Sequence, residues 1–339
     1  MLKVLLTNRC GNDCGYCANR LEGARRPLAF GPDELARLFM DLRRQRRASG
    51  LFLSSGIGGD ADRTMEKMIA TAEILRGHYG FKGYIHLKIL PGSSEHLAEE
   101  ACRLASRASI NLEAPNPARL SALAGDKGFH EQIMARVAQL SRLQEGGLLP
   151  DGHTTQFVVG AAGESDREIL STVSGLYRDY GLRRAYFSAF NPVRGTPLDG
   201  LPAENPWRQH RLYQADFLHR LYGFQLEELA LDGAGRLPLS RDPKQAWAER
   251  HPEFFPVELN RGAREQLLRV PGIGPVSADR IIEARRECRL QELGQLKALK
   301  VLERKAAPFI LLDGKKPPCE ERRGRQIPEQ LLLWDNEQG

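Results

Sequence analysis

Three cysteines lie close together near the start of the chain, in the run CGNDCGYC. They are Cys10, Cys14 and Cys17, a C-x3-C-x2-C spacing on the loop that follows the apolar segment 2–6. Three thiolates on one short loop are hard to explain as core packing. Each can hold one iron of a [4Fe–4S] cluster, which leaves the fourth iron open to another ligand. The spacing therefore predicts a metal centre on this loop.

A structural zinc ion is the alternative occupant of the cysteine loop. Such sites are closed by four ligands, so zinc would need a fourth from a distant residue such as Cys102 or His86. A cluster with one open iron needs no fourth protein ligand. The cluster interpretation also predicts an aromatic residue just before the last cysteine, and Tyr16 stands there.

Length and composition limit the kinds of protein that could carry this centre. The chain has 339 residues, 41% of them hydrophobic, which is enough for a barrel with an appended domain. Its net charge of +6 permits a nucleic-acid partner without proving one. Six cysteines, three of them scattered, do not make a disulfide framework. With no signal peptide or membrane-length apolar run, the expected location is the cytoplasm.

Six strand–helix units are predicted over the first 190 residues, because short apolar runs alternate with amphipathic stretches. This order favours a parallel α/β sheet with right-handed crossovers, although composition does not separate a partial barrel from a doubly wound sheet. Strands are predicted at 2–6, 51–55, 84–90, 109–113, 155–160 and 184–190. Helices are predicted at 33–47, 62–79, 94–107, 127–146 and 165–180.

The cysteine run and the motifs at the strand ends resemble the radical S-adenosylmethionine (SAM) superfamily. The resemblance implies a partial (β/α)6 barrel, here over 1–200, with a [4Fe–4S] cluster and SAM as cofactors. One electron from the cluster would cleave SAM, and the 5′-deoxyadenosyl radical would remove a hydrogen atom from the substrate. It also implies a reductase partner such as flavodoxin or ferredoxin. No further catalytic residue is predicted.

The resemblance assigns the SAM contacts residue by residue, with Tyr16 beside the cluster. The family's GGE-like turn after the second strand corresponds to Ser54, Ser55 and Gly56, without the glutamate. Asn111 and Glu113 resemble the N-x-D pair that holds the ribose hydroxyls, and two residues apart on a strand they would face one side. Adenine contacts are expected at glycines that allow close backbone approach and at the sixth strand, namely Gly160, Gly163, Phe187 and Asn191.

His86 and Lys88 have period-2 spacing on the predicted third strand, so both would face the barrel interior. Two interpretations stay open with equal weight. They contact the substrate or the SAM carboxylate, or they are strand-end charges that reach solvent.

Residues 264–286 read REQLLRVPGIGPVSADRIIEARR and resemble a helix-hairpin-helix motif. Gly272, Ile273 and Gly274 would form a tight hairpin whose backbone N–H groups bind a phosphate. Nearby arginines would reinforce that contact, with Arg269, Arg280, Arg285 and Arg286 as candidates. Some such hairpins serve only as protein contacts. The stretch after them is expected to be a degenerate second hairpin, since Gly294 lacks the PGIG signature.

Together the motifs CGNDCGYC, SSGI, INLEAPN, VVGAAGE, HPEFFPVE and LLRVPGIGP resemble radical SAM proteins assigned to DNA modification or repair, across 1–313. This implies an enzyme acting on DNA. A radical SAM enzyme acting on RNA and a non-enzymatic, metal-stapled DNA-binding protein remain alternatives. Family members commonly carry an upstream segment, which favours a natural start before Met1.

Three further regions are predicted beyond the barrel. Residues 201–260 form a helical and irregular connector packed on the barrel, and 261–313 form a small all-α helix-hairpin-helix domain. The polar tail 314–339 is expected to be disordered. Its end resembles a sliding-clamp peptide at Gln330, Leu331, Leu333 and Trp334, with a tail that folds back on the barrel or has no function as the alternatives.

Overall fold

Six parallel strands form one sheet, and their order across the sheet is their order in the sequence. The computed structural model describes residues 1–21 and 26–318. The strands are β1 (Leu2–Leu5), β2 (Leu51–Ser54), β3 (Ile85–Lys88), β4 (Arg107–Ser109), β5 (His153–Val159) and β6 (Arg184–Ala189). A doubly wound sheet would reverse its strand order at a switch point. The sequential order therefore identifies the half-barrel alternative.

Helices connect successive strands and cover one face of the sheet. They are α1 (Pro32–Arg44), α2 (Ala61–Glu73), α3 (Glu95–Leu104), α4 (Pro117–Leu123), α5 (Ala135–Glu145) and α6 (Asp166–Tyr180), with α7 (Pro206–Tyr222) after β6. Apolar side chains on the helix-covered face, such as Leu53 and Leu87, have no solvent exposure. Helix α4 lies between 113 and 127, where no helix or strand was predicted.

The other face of the sheet lines the lumen of the half-barrel. Partners in a parallel register point to the same side of a sheet, and one such row across the lumen is Lys88, Ser109, Thr154 and Arg184. This row is polar, unlike the apolar helix-covered face. The carboxyl ends of the strands, where functional residues are expected in such folds, open above it.

Strand β6 is the outer edge of the sheet, and side chains complete its hydrogen bonds. Alternate backbone N–H groups point away from β5, and each donates to a side-chain oxygen. The three bonds are Ala185 to the Tyr177 hydroxyl at 3.1 Å, Phe187 to the Tyr213 hydroxyl at 3.0 Å, and Ala189 to Gln209 Oε1 at 2.7 Å. Helices α6 and α7 thus satisfy an edge that would otherwise invite another strand.

Strand β4 is shorter than predicted. It ends at Ser109, whereas the apolar pattern extended the strand to 113. Glu113 has a φ of 65°, and this left-handed conformation interrupts a strand. Only an isolated bridge links Glu113 to Phe157 of β5. Asn111 and Glu113 therefore lie on the loop after β4, and strand alternation does not describe their directions.

The described chain divides into two compact units, Met1–Ala246 and a second that begins at Trp247. Helix α8 (Pro243–Arg250) includes this boundary. The second unit has two short parallel strands, β7 (Val257–Glu258) and β8 (Ile310–Leu311). Its helices are α9 (Arg264–Arg269), α10 (Pro275–Glu287), α11 (Leu293–Ala298) and α12 (Glu303–Ala306). The predicted boundaries at 200, 260 and 313 stay predictions.

Among residues 1–21 and 26–318, no helix is both long enough and apolar enough to span a lipid bilayer.

Candidate functional site

The cysteine loop follows β1 and is fastened to three other segments by backbone hydrogen bonds. Gly11 donates to the Ile57 carbonyl at 2.7 Å, and Gly56 donates to the Thr7 carbonyl at 2.8 Å. Gly15 is held twice, since its N–H reaches the Leu123 carbonyl at 2.8 Å and its carbonyl accepts from Leu198 at 3.1 Å. The turn after β2, the end of α4 and the segment after β6 thus fix this loop.

Two of the three sulfurs accept backbone hydrogen bonds, and the third lies near a cation. Ile57 N–H donates to Cys10 Sγ and Asn19 N–H to Cys17 Sγ, each at 3.4 Å. The charge of Lys127 acts on Cys14. Donors aimed at sulfur stabilise thiolates bound to iron. The loop therefore has the supporting contacts that a cluster needs.

A single metal ion fits the described residues less well. Among the described ranges, no group of three or more His, Cys, Asp or Glu side chains converges as one ion requires. A [4Fe–4S] cluster puts each cysteine on a different iron, so its ligands need not meet at one point. The three cysteines fit a cluster, and they do not form the closed zinc site considered above.

Cys14 is the buried member of the triplet, while Cys10 and Cys17 are half-buried. Burial raises the pKa of the Cys14 thiol to about 11, and the charge of Lys127 opposes that rise. Metal binding takes the deprotonated form, so the ammonium favours the form of Cys14 that ligates iron.

Glu113 is the centre of a buried polar group beside the cysteine loop. Lys127 Nζ lies 3.4 Å from its Oε1, and Asn111 Nδ2 lies 3.3 and 3.4 Å from its two oxygens. Burial, with the charge of Glu113 next, raises the pKa of the nearby Tyr16 hydroxyl well above its usual value. The structure thus brings together Tyr16, Asn111 and Glu113, which the sequence assigned to SAM. Their role in holding ribose stays a prediction.

Charges in this group support one another. Burial alone would raise the pKa of Glu113, but Lys127 and Lys88 lower it. Burial alone would lower the pKa of Lys127, yet Glu113 and Cys14 raise it. Burial lowers the pKa of Lys88, which Glu113 partly offsets. Glu113 and Lys127 are therefore a charged pair at neutral pH.

Lys127 was not identified as a functional residue from the sequence. It was placed at the start of a helix predicted over 127–146, whereas it lies in the turn 124–128 after α4. In the same turn, Asp126 accepts a hydrogen bond from the Asp13 N–H at 2.8 Å. The run GDKG predicts a turn, but no local signal shows that this turn folds against the cysteines.

The turn SSGI continues directly from β2. Ser54 is the buried last residue of the strand, and the Ser55 hydroxyl donates to the Gly56 carbonyl at 2.7 Å. A Cβ on Gly56 would lie 2.4 Å from the Arg9 carbonyl oxygen. Glycine is therefore required where this turn meets the cysteine loop.

Gly160 and Gly163 follow β5 with φ values of 99° and 68°. Such values favour glycine, in keeping with the close backbone approach that was predicted. The space beside Gly160 is taken by Glu204, whose Oε2 lies 2.3 Å from a Cβ built there. An adenine contact at Gly160 thus requires Glu204 to move or to take part in the contact.

A buried arginine organises the segment after β5, and no sequence pattern predicts its role. Arg208 of α7 has 2% side-chain exposure and donates to Asp166 at 2.7 Å and to Glu204 at 2.6 Å. It lies 3.4 Å from Glu164, whose carboxylate accepts from the Gly160 N–H at 2.6 Å. Arg208 therefore holds the Gly160 turn through Glu164.

Two residues predicted to line the adenine site lie apart from the lumen row. Phe187 is on the helix-covered face of β6, the opposite side from Arg184, where it stacks on Phe157 and meets Tyr213 edge to face. It is 2% exposed. The prediction of an adenine wall at Phe187 is thus corrected, because strand alternation turns this ring into the core. Asn191 is exposed beyond the strand end.

His86 and Lys88 both project into the lumen side of β3, as predicted. The His86 ring is buried and bonds through Nε2 to the Ser109 hydroxyl at 2.8 Å. Burial, with the charge of Arg107 next, lowers the pKa of His86 to about 3. His86 is thus a neutral structural group, whereas Lys88 stays near Glu113 and keeps the substrate or SAM role as a prediction.

The second unit has two helices joined by the PGIG turn. Gly272 has a φ of 83°, and a Cβ there would lie 2.6 Å from the Leu302 carbonyl oxygen. Gly274 is the residue before α10, and Ile273 is buried between the two glycines. The Ser277 hydroxyl donates to the Lys300 carbonyl at 2.8 Å. The turn is thus packed against the segment between α11 and α12.

The four candidate arginines of this unit differ in their surroundings. Arg285 donates to the Leu259 and Gly262 carbonyls at 3.0 and 2.7 Å, so it has a structural role. The Arg269 guanidinium lies 4.9 Å from the Trp247 ring centre. Arg280 is half-buried and Arg286 is exposed. The predicted clamp peptide lies outside the described residues, as does Cys319.

Comparison with known proteins decides the family. The model of the radical SAM superfamily matches residues 4–174, half of the chain. The chain belongs to the radical SAM superfamily. Members of this superfamily use a [4Fe–4S] cluster and SAM, in agreement with the cysteine loop.

Several proteins that resemble this radical SAM chain are named for their activities. A 7,8-didemethyl-8-hydroxy-5-deazariboflavin synthase from Methanosarcina barkeri (strain Fusaro / DSM 804) is 26% identical over 216 residues, covering 59% of this chain and 63% of that protein. Two solved structures share the fold, each with a TM-score of 0.51 and 13% identity over 64% of this chain. They are the [FeFe]-hydrogenase maturase HydG and methylornithine synthase (PylB), covered over 48% and 60% of their lengths. This chain thus spans less than two thirds of each.

Proposed function

We propose that this radical SAM protein acts on DNA, where it modifies or repairs a base. The observation that carries the proposal is the pair of helices α9 and α10 with the glycine turn between them. Helix α10 has 13 residues and begins after Gly274, with Pro275 at its first position. Backbone N–H groups at a helix start attract phosphate, and such contacts bind a nucleic-acid backbone without reading sequence.

Charge in the second unit is consistent with a polyanionic partner. Residues 247–318 contain fourteen Lys and Arg against ten Asp and Glu. Val276, next to the turn, is 59% exposed, so the start of α10 is open at the surface of its unit. The exposed arginine Arg286 and half-buried Arg280 lie on the same helix.

The first unit would supply the chemistry. When bound, the cluster would provide the electron that cleaves SAM. The resulting 5′-deoxyadenosyl radical would then take a hydrogen atom from the substrate. Cys10, Cys14 and Cys17 hold the irons, and Glu113 with Asn111 contacts the ribose. The lumen of the half-barrel shields the reacting groups from water. A flavodoxin or ferredoxin is the proposed electron donor, and the sliding clamp is a proposed partner of the tail.

A small-molecule substrate is the second candidate, because the deazariboflavin synthase relative is named for a small product. RNA is a third, since phosphate contacts do not distinguish the two nucleic acids. A non-enzymatic DNA-binding protein stapled by one metal ion is disfavoured by the lack of a single-ion site in the described chain.

Deuterium transfer separates these candidates. DNA, RNA and a small-molecule extract are prepared from cells that lack the protein and were grown in deuterated medium. Each is mixed with the reduced enzyme and unlabelled SAM. Mass spectrometry then measures the deuterium content of the 5′-deoxyadenosine formed. Deuterium from DNA alone is the expected result. Deuterium from RNA or from the extract, with none from DNA, overturns the proposal.

DNA binding is tested separately at the hairpin. Arg280→Gln should weaken duplex binding and reduce the slope of log affinity against log salt by about 0.9, the loss of one phosphate contact. Arg289→Gln is the matched control, because Arg289 pairs with Asp313 at 2.8 Å. If both variants and the unchanged protein have equal slopes, Arg280 does not contact the DNA backbone.

A further inference from the structure

The three cysteine sulfurs differ in the groups close to them. Cys10 and Cys17 accept from neutral backbone N–H groups, each at 3.4 Å. Cys14 lies beside the segment that ends in Lys127, because its two neighbours are bonded to that segment: the Asp13 N–H donates to Asp126 and the Gly15 N–H to the Leu123 carbonyl, both at 2.8 Å. Side-chain exposure of Lys127 is 7%, so solvent screens its charge only weakly.

Glu113 holds the ammonium in place. Its carboxylate, 6% exposed, accepts from Lys127 at 3.4 Å and from Asn111 at 3.3 Å. A buried cation and a buried anion thus lie side by side next to the cysteine loop.

We propose that Lys127 raises the reduction potential of the [4Fe–4S] cluster through its charge beside Cys14, and that Glu113 moderates the effect. Reduction adds one electron from the donor to the cluster and makes it more negative. A buried positive charge close to the cluster stabilises that reduced form. Lys127 acts through Cys14 and is a positioning residue rather than a catalytic one.

The two partners predict shifts of opposite sign. Lys127→Met removes the cation, so the potential should fall. We expect on the order of a tenfold smaller ratio of reduced to oxidised cluster at a fixed potential, about 59 mV for a one-electron couple. Glu113→Gln removes the anion, so the potential should rise. Lys127→Arg keeps the charge and should stay near the unchanged protein.

The test is a redox titration of the anaerobically reconstituted full chain without SAM, followed by the electron paramagnetic resonance signal of the reduced cluster. Iron is counted in every sample. Lys82→Met is the matched control, because Lys82 is exposed and its charge is screened. The expected result is a fall for Lys127→Met, a rise for Glu113→Gln and no change for the control.

Two outcomes overturn the proposal. One is an unshifted potential in Lys127→Met at full iron content. The other is a shift of Glu113→Gln in the same direction as Lys127→Met, since damage to the fold has no reason to depend on the sign of the lost charge. If Lys127→Met fails to hold iron, Glu113→Gln alone decides, because an absent rise contradicts the proposal. The readout is independent of substrate, so DNA could fail as substrate while this inference stands.

Discussion

The carbonyl oxygen of Arg9 lies 2.4 Å from the position that a Cβ atom on residue Gly56 would occupy. Arg9 belongs to the cysteine loop and Gly56 to the turn after β2, 47 positions later in the sequence. Their backbones thus meet with no space for a methyl group. The Arg9 oxygen is a backbone atom and the position of a Cβ is set by its own backbone, so rotation of a side chain cannot relieve the overlap.

Gly56→Ala should displace the cysteine loop and lower the iron bound per chain after reconstitution. The matched control is Gly175→Ala in α6, where the added Cβ meets only Asp179 Oδ2 at 3.8 Å. That change should bind iron normally and stabilise the helix by about 0.5–1 kcal/mol. Full iron content in Gly56→Ala would mean that the loop tolerates the shift.

Cys14→Ala should abolish cluster binding and SAM cleavage, because one of the three iron ligands is lost. Iron analysis and the yield of 5′-deoxyadenosine measure the two effects. Cys102→Ala is the control, since Cys102 is equally buried but lies in α3 on the outer side of the sheet. Cleavage that persists in Cys14→Ala would contradict the cluster assignment.

Arg208→Met should destabilise the first unit by about 3–5 kcal/mol, because it leaves the buried carboxylates of Asp166 and Glu164 without their cation. The measurement is the free energy of unfolding in denaturant, from the transition of this unit. Arg178→Met removes an exposed pair with Asp179 and should leave that free energy nearly unchanged, because solvent screens such pairs. Equal effects of the two variants would show that the buried network contributes little.

Acid should destabilise the half-barrel through His86. The pKa of this ring is about 3 in the folded chain because of burial, against 6.5 for the free side chain. The unfolded chain therefore binds a proton that the folded chain does not, and stability falls as the pH drops from about 6.5 to 3. The contribution of one such group is about 1.4 kcal/mol per pH unit within that window.

His86→Gln should flatten this dependence, since the amide does not titrate. Denaturant unfolding of the iron-free protein at several pH values measures the slope. His78→Gln serves as the control because His78 is exposed, and its slope should match that of the unchanged protein. If the free energy of unfolding of His86→Gln has the same slope against pH as that of the unchanged protein, other groups cause the acid sensitivity.

Periodicity predicted the sheet well because alternate positions of β2 and β3 on the helix-covered face are apolar. Leu51, Leu53, Ile85 and Leu87 all belong to that face. The cysteine spacing similarly predicted the cluster loop, since all three ligands are local in sequence. Both signals are contained within a few consecutive residues.

Contacts between segments that are distant in the sequence could not be predicted from it. Lys127 lies beside the cysteine loop because the turn after α4 is held there, where the Asp13 N–H donates to Asp126 at 2.8 Å. Arg208 meets Asp166 across 42 residues, and nothing near either residue indicates the pairing. The end of β4 was missed for a different reason. Its apolar pattern continues through Leu112, and only the left-handed backbone at Glu113 interrupts it.

The side chains that finish the edge of β6 have a consequence for association between copies of the chain. Tyr177, Gln209 and Tyr213 occupy the donors that a further strand would need. An open strand edge is a template on which a second molecule can add its own strand. With those donors occupied, this edge of the half-barrel resists edge-to-edge aggregation.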